Sequence, residues 1–369
     1  MFNRILALIV KETLMVLRNK DARLVLIVPP LMQLFIFAFA ATLDVQNIPI
    51  GILNRDNGEK SIELVQRFNG IPTFNPIYYL KSVEEITSFI DQQKGVMVLS
   101  IDEQFSRNLD AKKPVDVQLI LDGRKSNTVQ IVVGYVSRML DDFNQDIATE
   151  VGITLQNTKI YPRNWFNPNL IFYWYNVPCL AGVLTMTIGF TLTALSVARE
   201  REMGTFDQLL VSPLQPFEIL LGKSIPAIII SLVEATIIIL AGIFIFRIPF
   251  TGYLILFYLS LFVFVCSVVG LGLLISSISE TQQQAILGAF GIMSPAIILS
   301  GFATPIENMP KGLQYLTYIN PLRYILVIAK GLFLKAMPAD IVLSNTWPMA
   351  VIALFTLTGA AWFFRKRLE

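Results

Sequence analysis

"SVAREREMGTFDQLLVSPLQPFEILLGKS", residues 196–224, lies between two long apolar runs. It opens on alternating charge, Arg199-Glu200-Arg201-Glu202, and closes on Gly222-Lys223-Ser224, the ending of a phosphate-binding loop. Such a loop requires G-x-x-x-x-G-K-[ST] after a strand, because its glycines let backbone amides wrap the phosphates. Where the first glycine should stand there is Phe217, whose bulk fills the place where backbone must approach phosphate. The match is fortuitous, and no other such motif occurs in the chain. This chain is expected to bind no cofactor, so any ATP hydrolysis linked to it belongs to another polypeptide.

The apolar flanks decide the class. Of 369 residues, 54% are hydrophobic and 15% charged, with a mean hydropathy of +0.60, against about 45–50% apolar and about 25% charged in soluble domains. The composition is that of an α-helical polytopic membrane protein. A net charge of +2 offers no basic surface for nucleic acid, and the absence of histidine removes the commonest general base and metal ligand. Cys179 and Cys266 both fall in apolar runs, where a small buried hydrophobe is the expected role.

A helical span takes about 20 apolar residues. Six stretches qualify: 24–43, 172–197, 224–246, 253–278, 285–303 and 347–364. The first exceeds the roughly 7–15 apolar residues of a secretory signal and reads as an uncleaved anchor, although Ala38-Phe39-Ala40 imitates a cleavage site. Lys and Arg near span ends set orientation. Arg4, Lys11, Arg18, Lys20 and Arg23 precede span one, Arg199, Arg201 and Lys223 lie in the loop 198–223, and Arg365-Lys366-Arg367 fall at the end, in the tail 365–369. Six spans place all three groups, and both termini, in the cytoplasm. Residues 304–346, with Lys311, Arg323, Lys330 and Lys335, then form external re-entrant or interfacial helices, since a seventh span would put the last basic cluster outside.

Within segment 1–23, Arg4, Lys11 and Arg18 recur every seven residues opposite Ile5, Leu6, Ile9 and Val16. An amphipathic helix lying in the cytoplasmic interface is expected, its cations toward lipid headgroups or a partner. Between spans one and two, residues 44–171 carry more acidic than basic side chains and alternate strand patterns ("IPIGIL", "GVMVLSI", "VDVQLIL") with helical ones. An inserted periplasmic or extracellular α/β domain follows, with helices over "EKSIELVQRF", "SVEEITSFIDQQ" and about 128–149, the second with Ser82 and Glu85 as a capping box. The aromatics of "RNWFNPNLIFYWYN", 163–176, suit anchoring at the headgroup level.

Placed below the membrane, "REREMGTFDQLLVSPL" reads as a short amphipathic helix leaving span two. Met203, Phe206 and Leu210 share one face, while Glu200, Asp207 and Val211 lie around the other. Ser212-Pro213 ends it, and Pro216 begins another short helix leading into span three. A solvated loop with a charged helix end is the alternative. The stretch "VAREREMGTFDQLLVSPLQPFEILLGK" resembles the cytoplasmic signature of ABC type-two exporter permeases, the membrane subunits of bacterial ATP-binding-cassette exporters. "FNPN", "GLGLLISSIS", "ILSGFATPIENMP" and "INPLRYI" are also similar to that family, so the resemblance covers the whole chain, the external domain matching the multidrug-efflux branch.

The resemblance implies a half-transporter without ATPase activity of its own. Two permease subunits, identical or paralogous, would form a twelve-span core on two cassette ATPase subunits that carry ATP and Mg. Arg199, Glu200, Arg201, Glu202, Gly204, Thr205, Leu209, Leu210 and Pro213 would couple it to the ATPase. Met186, Phe190, Phe290, Met293 and Ser294, on spans two and five, would line the path of a hydrophobic or amphipathic cargo such as a drug, though core packing explains the same residues. A periplasmic adaptor protein is a further expected partner of the external domain.

Glu234 stands near the centre of span three, where a charge costs about 2.5–3.5 kcal/mol on the insertion scale. It is either a proton or cation site or a protonated acid bonded to a neighbouring helix. Two other functions remain open on these residues: an ion-coupled secondary transporter working through Glu234, and a membrane-anchored sensor or scaffold docking an envelope partner through the external domain. No metal site is expected.

Overall fold

A computed structural model describes residues 2–39, 47–150, 166–169, 171–206 and 214–366. The chain forms two compact units, one of Met1–Thr42 with Arg163–Glu369 and one of Leu43–Pro162. The first begins with α1 (Phe2–Arg18) and α2 (Lys20–Phe39). On α1 the apolar Phe2, Leu6, Val10, Leu14 and Leu17 face outward, while Leu8 and Glu12 are buried. The helix is amphipathic as its spacing predicts, but Lys11 turns onto Glu200 instead of toward headgroups.

The second unit runs β1 (Ile50–Asn54), α3 (Glu59–Asn69), β2 (Ile77–Tyr79), α4 (Val83–Asp91), β3 (Met97–Ile101), α5 (Phe105–Asp110), β4 (Gln118–Leu121) and α6 (Ser126–Glu150). Strand order is β2-β1-β3-β4, with β1 parallel to both neighbours and β4 antiparallel to β3. The mostly apolar β1 and β3 occupy the centre, as strands covered on both faces do. One face buries Leu64 and Phe68 of α3 with Val132, Val136 and Phe143 of α6. The other buries Ile86 and Phe89 of α4. The capping box does not form: Ser82 precedes α4 without a side-chain cap, and Glu85 accepts from the Lys81 N–H at 2.9 Å. β2 and α5 are too short to show a period, and the sequence pattern misses both.

Asp56 ties β1 to α5. Its carboxylate accepts from the N–H groups of Ser106 at 2.9 Å and Gly58 at 3.2 Å. Desolvation pushes its pKa up, but these hydrogen bonds outweigh that and hold it below the ordinary aspartate value. A depressed carboxylate contributes stability above its unfolded pKa of about 3.9, and that stability is lost as pH falls through the folded value. Asp56→Asn is therefore expected to weaken this unit by about 1–3 kcal/mol at neutral pH and to flatten its acid sensitivity. Limited proteolysis of the full chain across pH 3–7, following cleavage within 47–150, reads both effects.

The helical unit resumes with α7 (Phe172–Glu202), α8 (Pro216–Phe244), α9 (Leu254–Ile278), α10 (Gln282–Ile298), α11 (Lys311–Leu316), α12 (Pro321–Leu334) and α13 (Ala339–Lys366). Helices α7, α8, α9 and α13 are long and apolar enough to cross a membrane. α2, apolar from Leu26 and carrying Pro29 and Pro30, and α10, of 17 residues, are shorter apolar pieces. α7 packs on α2, α8, α9, α10 and α12 and is the most buried of the long helices. Most hydroxyls inside the unit bond to backbone or to one another, as apolar surroundings favour: Ser260 and Thr346 join α9 to α13 at 2.8 Å, and Tyr258 donates to Thr236 of α8 at 2.8 Å. Outward positions on α8 are apolar, with Ile229, Val233, Ile237, Leu240 and Phe244 exposed. This is the helical body of a polytopic membrane protein.

Several expected boundaries move. The second span's helix runs on to Glu202, and the short helix expected from Pro216 is continuous with the third span as one helix, α8. α13 starts at Ala339, inside the stretch expected to be external. α12 has 14 residues, about 21 Å of helix against a hydrocarbon core of about 30 Å, so it is no seventh full span. Asn320 starts it, accepting from the Leu322 N–H at 3.1 Å and donating to the Ala296 carbonyl, with Pro321 in the first turn. The aromatic run before α7 also binds within the unit. Tyr173 packs at 5.9 Å from Phe246, and Lys330 of α12 lies 4.8 Å over the Tyr175 ring. Trp165 is outside the described residues.

Candidate functional site

The charged run 199–202 forms the last turn of α7. The helix ends there because Gly204 takes a left-handed conformation, φ +68°, while the Met203 and Gly204 N–H groups return to the Arg199 and Arg201 carbonyls. This corrects the expectation of one amphipathic helix running through 199–214. Met203 is 66% exposed and Phe206 only 7%, so they share no face. Leu209, Leu210 and Pro213 lie outside the described residues. Thr205 closes the turn, its N–H donating to the Glu200 carbonyl at 3.0 Å.

Glu200 is buried at 4% exposure, so the charged helix end is not wholly solvated. Lys11 of α1 donates to its Oε1 at 2.8 Å, and Lys223 of α8 stands 2.8 Å from its Oε2. The second contact is an ion pair without hydrogen-bond alignment. Lys223 also donates to Glu12 at 3.1 Å and to the Ser196 carbonyl and hydroxyl at 3.3 and 3.2 Å. Two carboxylates and two ammoniums thus alternate in a knot joining α1, α7 and α8, buried except for the half-exposed Lys11. Desolvation lowers the Lys11 pKa, but the Glu200 bond and the nearby carboxylate charges win and hold it above the ordinary lysine value. Lys11 remains charged at any physiological pH.

The other charges of the run hold the ends of two further helices, α9 and α10. Arg201 donates to the carbonyls of Ser277 and Ser279 at the end of α9, both at 2.9 Å, and its guanidinium lies 4.9 Å over the Phe206 ring. Phe206 in turn meets Phe364 of α13 edge-on at 5.8 Å. Glu202 accepts from the Gln282 N–H at 2.8 Å, placing a carboxylate at the start of α10, where the helix dipole favours it. Arg199 reaches the Gln282 side chain at 3.4 Å. The Ser276 hydroxyl accepts from the N–H groups of Val197 and Ala198 at 3.0 and 3.1 Å. The end of α7 therefore contacts α1, α8, α9 and α10 and, through Phe206, α13.

Gly222, Lys223 and Ser224 each have a structural role. A Cβ on Gly222 would lie 2.6 Å from the Leu8 Cβ, so glycine permits α1 to seat on α8. Lys223 supplies the buried cation, and the Ser224 hydroxyl donates to the Leu220 carbonyl. Gly222→Ala is expected to lift α1 and cost about 1–3 kcal/mol through overpacking. A cysteine pair placed at positions 11 and 200 in that background should then crosslink more slowly than in the wild-type background.

Sequence reasoning missed Glu12 and Lys223 as members of the site and left Lys11 between lipid headgroups and a partner. One signal was present: an acid one helical turn from Leu8 on the buried side of an amphipathic helix. The pathway candidates do not come together in one chain. Met186, Phe190 and Met293 are core residues at 0, 0 and 7% exposure, whereas Phe290 and Ser294 are exposed on α10. Glu234 is buried, and neither carboxylate oxygen has a hydrogen-bond partner. The same holds for the Ser231 hydroxyl three residues earlier. The expected bond from Glu234 to a neighbouring helix is not formed among the described residues.

Comparison with known proteins adds the family. Residues 23–362 match the family model described as ABC-2 family transporter protein. The chain belongs to the ABC-2 transporter family. Among relatives of this ABC-2 chain, the "Probable multidrug ABC transporter permease YbhR" of Escherichia coli K12 is 46% identical over 369 residues, covering all of both chains. The "Probable multidrug ABC transporter permease YbhS" of the same organism is 32% identical over 99% of this chain and 97% of its own. The "Inner membrane transport permease YhhJ" is 25% identical over 85% of this chain and 82% of its own. As an ABC-2 permease the protein is a membrane transport subunit of an ABC exporter, with ATPase activity in a separate subunit.

Proposed function

We propose that this permease exports hydrophobic or amphipathic compounds, drugs among them, from the cytoplasm or inner leaflet of a bacterial inner membrane, and that the end of α7 receives the ATPase stroke. The observation that carries the coupling assignment is the buried knot of Glu200, Lys223, Lys11 and Glu12. In the same turn, Arg199, Arg201 and Glu202 grip α9 and α10, so a displacement of this turn cannot stay local. Glu200, Gly204 and Thr205 form its cap, and Leu209, Leu210 and Pro213 are assigned to the same ATPase contact on the family resemblance.

In this reading α2 and α10 join the four long helices as six spans, both termini are cytoplasmic, and the α/β unit is external, where an adaptor protein docks. Two permeases, identical or paralogous, pair with two ATPase subunits that hold ATP and Mg. The exposed Phe290 and Ser294 on α10 face the second permease and the cargo path, while Met186, Phe190 and Met293 set the packing behind them. Glu234 favours a second reading, in which a proton or cation also enters the cycle, because its two orphan oxygens are buried in a span. The test of assembly is affinity purification of the tagged chain in mild detergent: an associated cassette ATPase is expected, and transport persisting in a strain lacking that ATPase overturns the proposal.

A further inference from the structure

Where α1, α2, α7 and α8 meet, the helical unit holds a cavity of about 260 Å³. Leu26, Leu192, Leu195, Ala227 and Ile230 give it apolar walls, and Glu12, Arg199 and Lys223 border it as charged groups. We propose that this cavity binds an amphiphile with an anionic head, the head on Arg199 and the chain along Leu26, Leu192 and Leu195.

The charge balance selects the head group. Lys223 already faces Glu12, Glu200 and both oxygens of Ser196, and Lys11 faces Glu200. Arg199 has no carboxylate partner among the described residues, and its contact there is a long one, 3.4 Å from Nε to the Gln282 side chain. Three cations therefore stand against two carboxylates, leaving one positive charge beside an apolar cavity. An anionic head neutralises it through the planar, fork-like donor set of the guanidinium. A cationic head meets like charge, and a neutral head leaves the guanidinium uncompensated in a partly desolvated place. The apolar walls supply the larger part of the contact surface, as ligand pockets do, with few polar groups to fix orientation.

The same chemistry is offered by an anionic lipid of the bilayer and by a free anionic amphiphile. That the bound molecule is cargo rests on the exporter reading above. The binding does not, so an assay without ATPase or ATP separates the two.

The full-length permease in phosphatidylcholine nanodiscs is titrated with radiolabelled dodecyl phosphate and with dodecyltrimethylammonium, empty nanodiscs providing the background. Saturable binding is expected for the phosphate, tighter than for the ammonium by about tenfold or more, the order of one charge-assisted contact. Arg199→Gln should erase that preference and Arg199→Lys keep most of it. Leu195→Trp, which fills the cavity while leaving the charges in place, should abolish saturable binding of the phosphate. Displacement by phosphatidylglycerol doped into the nanodiscs assigns the site to a bilayer lipid, and its failure assigns it to a free amphiphile. Equal binding of the two probes, an unchanged preference in Arg199→Gln, or unchanged phosphate binding in Leu195→Trp overturns the proposal.

Discussion

Lys223→Met should lower the stability of the protein by about 3–5 kcal/mol, the usual cost of stranding a buried charge by removing its partner. The Lys223 side chain is 2% exposed and stands 2.8 Å from Glu200 and 3.1 Å from Glu12. Without it, two buried carboxylates share one half-exposed ammonium, that of Lys11. The loss should reverse in large part when Glu12→Gln accompanies Lys223→Met, because one carboxylate then pairs with Lys11 and no charge is orphaned. Thermal unfolding in detergent, read as a double-mutant cycle over the two substitutions, checks this. A cycle with no interaction energy would show that the pair contributes nothing.

Glu200→Gln should lower export per ATP hydrolysed by about 5- to 150-fold, the range of a coupling free energy of about 1–3 kcal/mol. Glutamine keeps the shape of the side chain but drops the charge that holds both Lys11 and Lys223 to the end of α7. The turn then moves with less hold on α1 and α8, while Arg201 and Glu202 still grip α9 and α10. Glu200→Asp, which keeps the charge on a shorter stem, should fall between the two. The readout is substrate efflux divided by phosphate release in reconstituted vesicles, which a general loss of folded protein does not move.

Both predictions concern contacts that no local pattern announces. Glu12 and Lys223 are 211 residues apart, so neither periodicity nor spacing brings them together. Only the seating of α1 on Gly222 does. The elements themselves were more legible. Strand patterns marked β1, β3 and β4, and apolar length marked α7, α8, α9 and α13. The end of α7 was misread because Met203 and Phe206 sit at helical spacing, and that pattern outweighed the stop signal of Gly204, whose positive φ decides the matter. The pathway residues misled for a related reason. Met and Phe at helical spacing look alike in a core and along a channel, and Met186 and Phe190 are core.

The most direct measurement of the central claim uses inside-out membrane vesicles containing the permease with its ATPase partner, and follows Mg-ATP-dependent uptake of a fluorescent hydrophobic dye. Uptake is expected with wild-type protein, absent when the ATPase is omitted, and reduced relative to ATP hydrolysis in Glu200→Gln. Uptake that proceeds without the ATPase, or a Glu200→Gln variant with wild-type uptake per ATP, would contradict the assignment of this chain as an ATP-driven permease coupled through the end of α7.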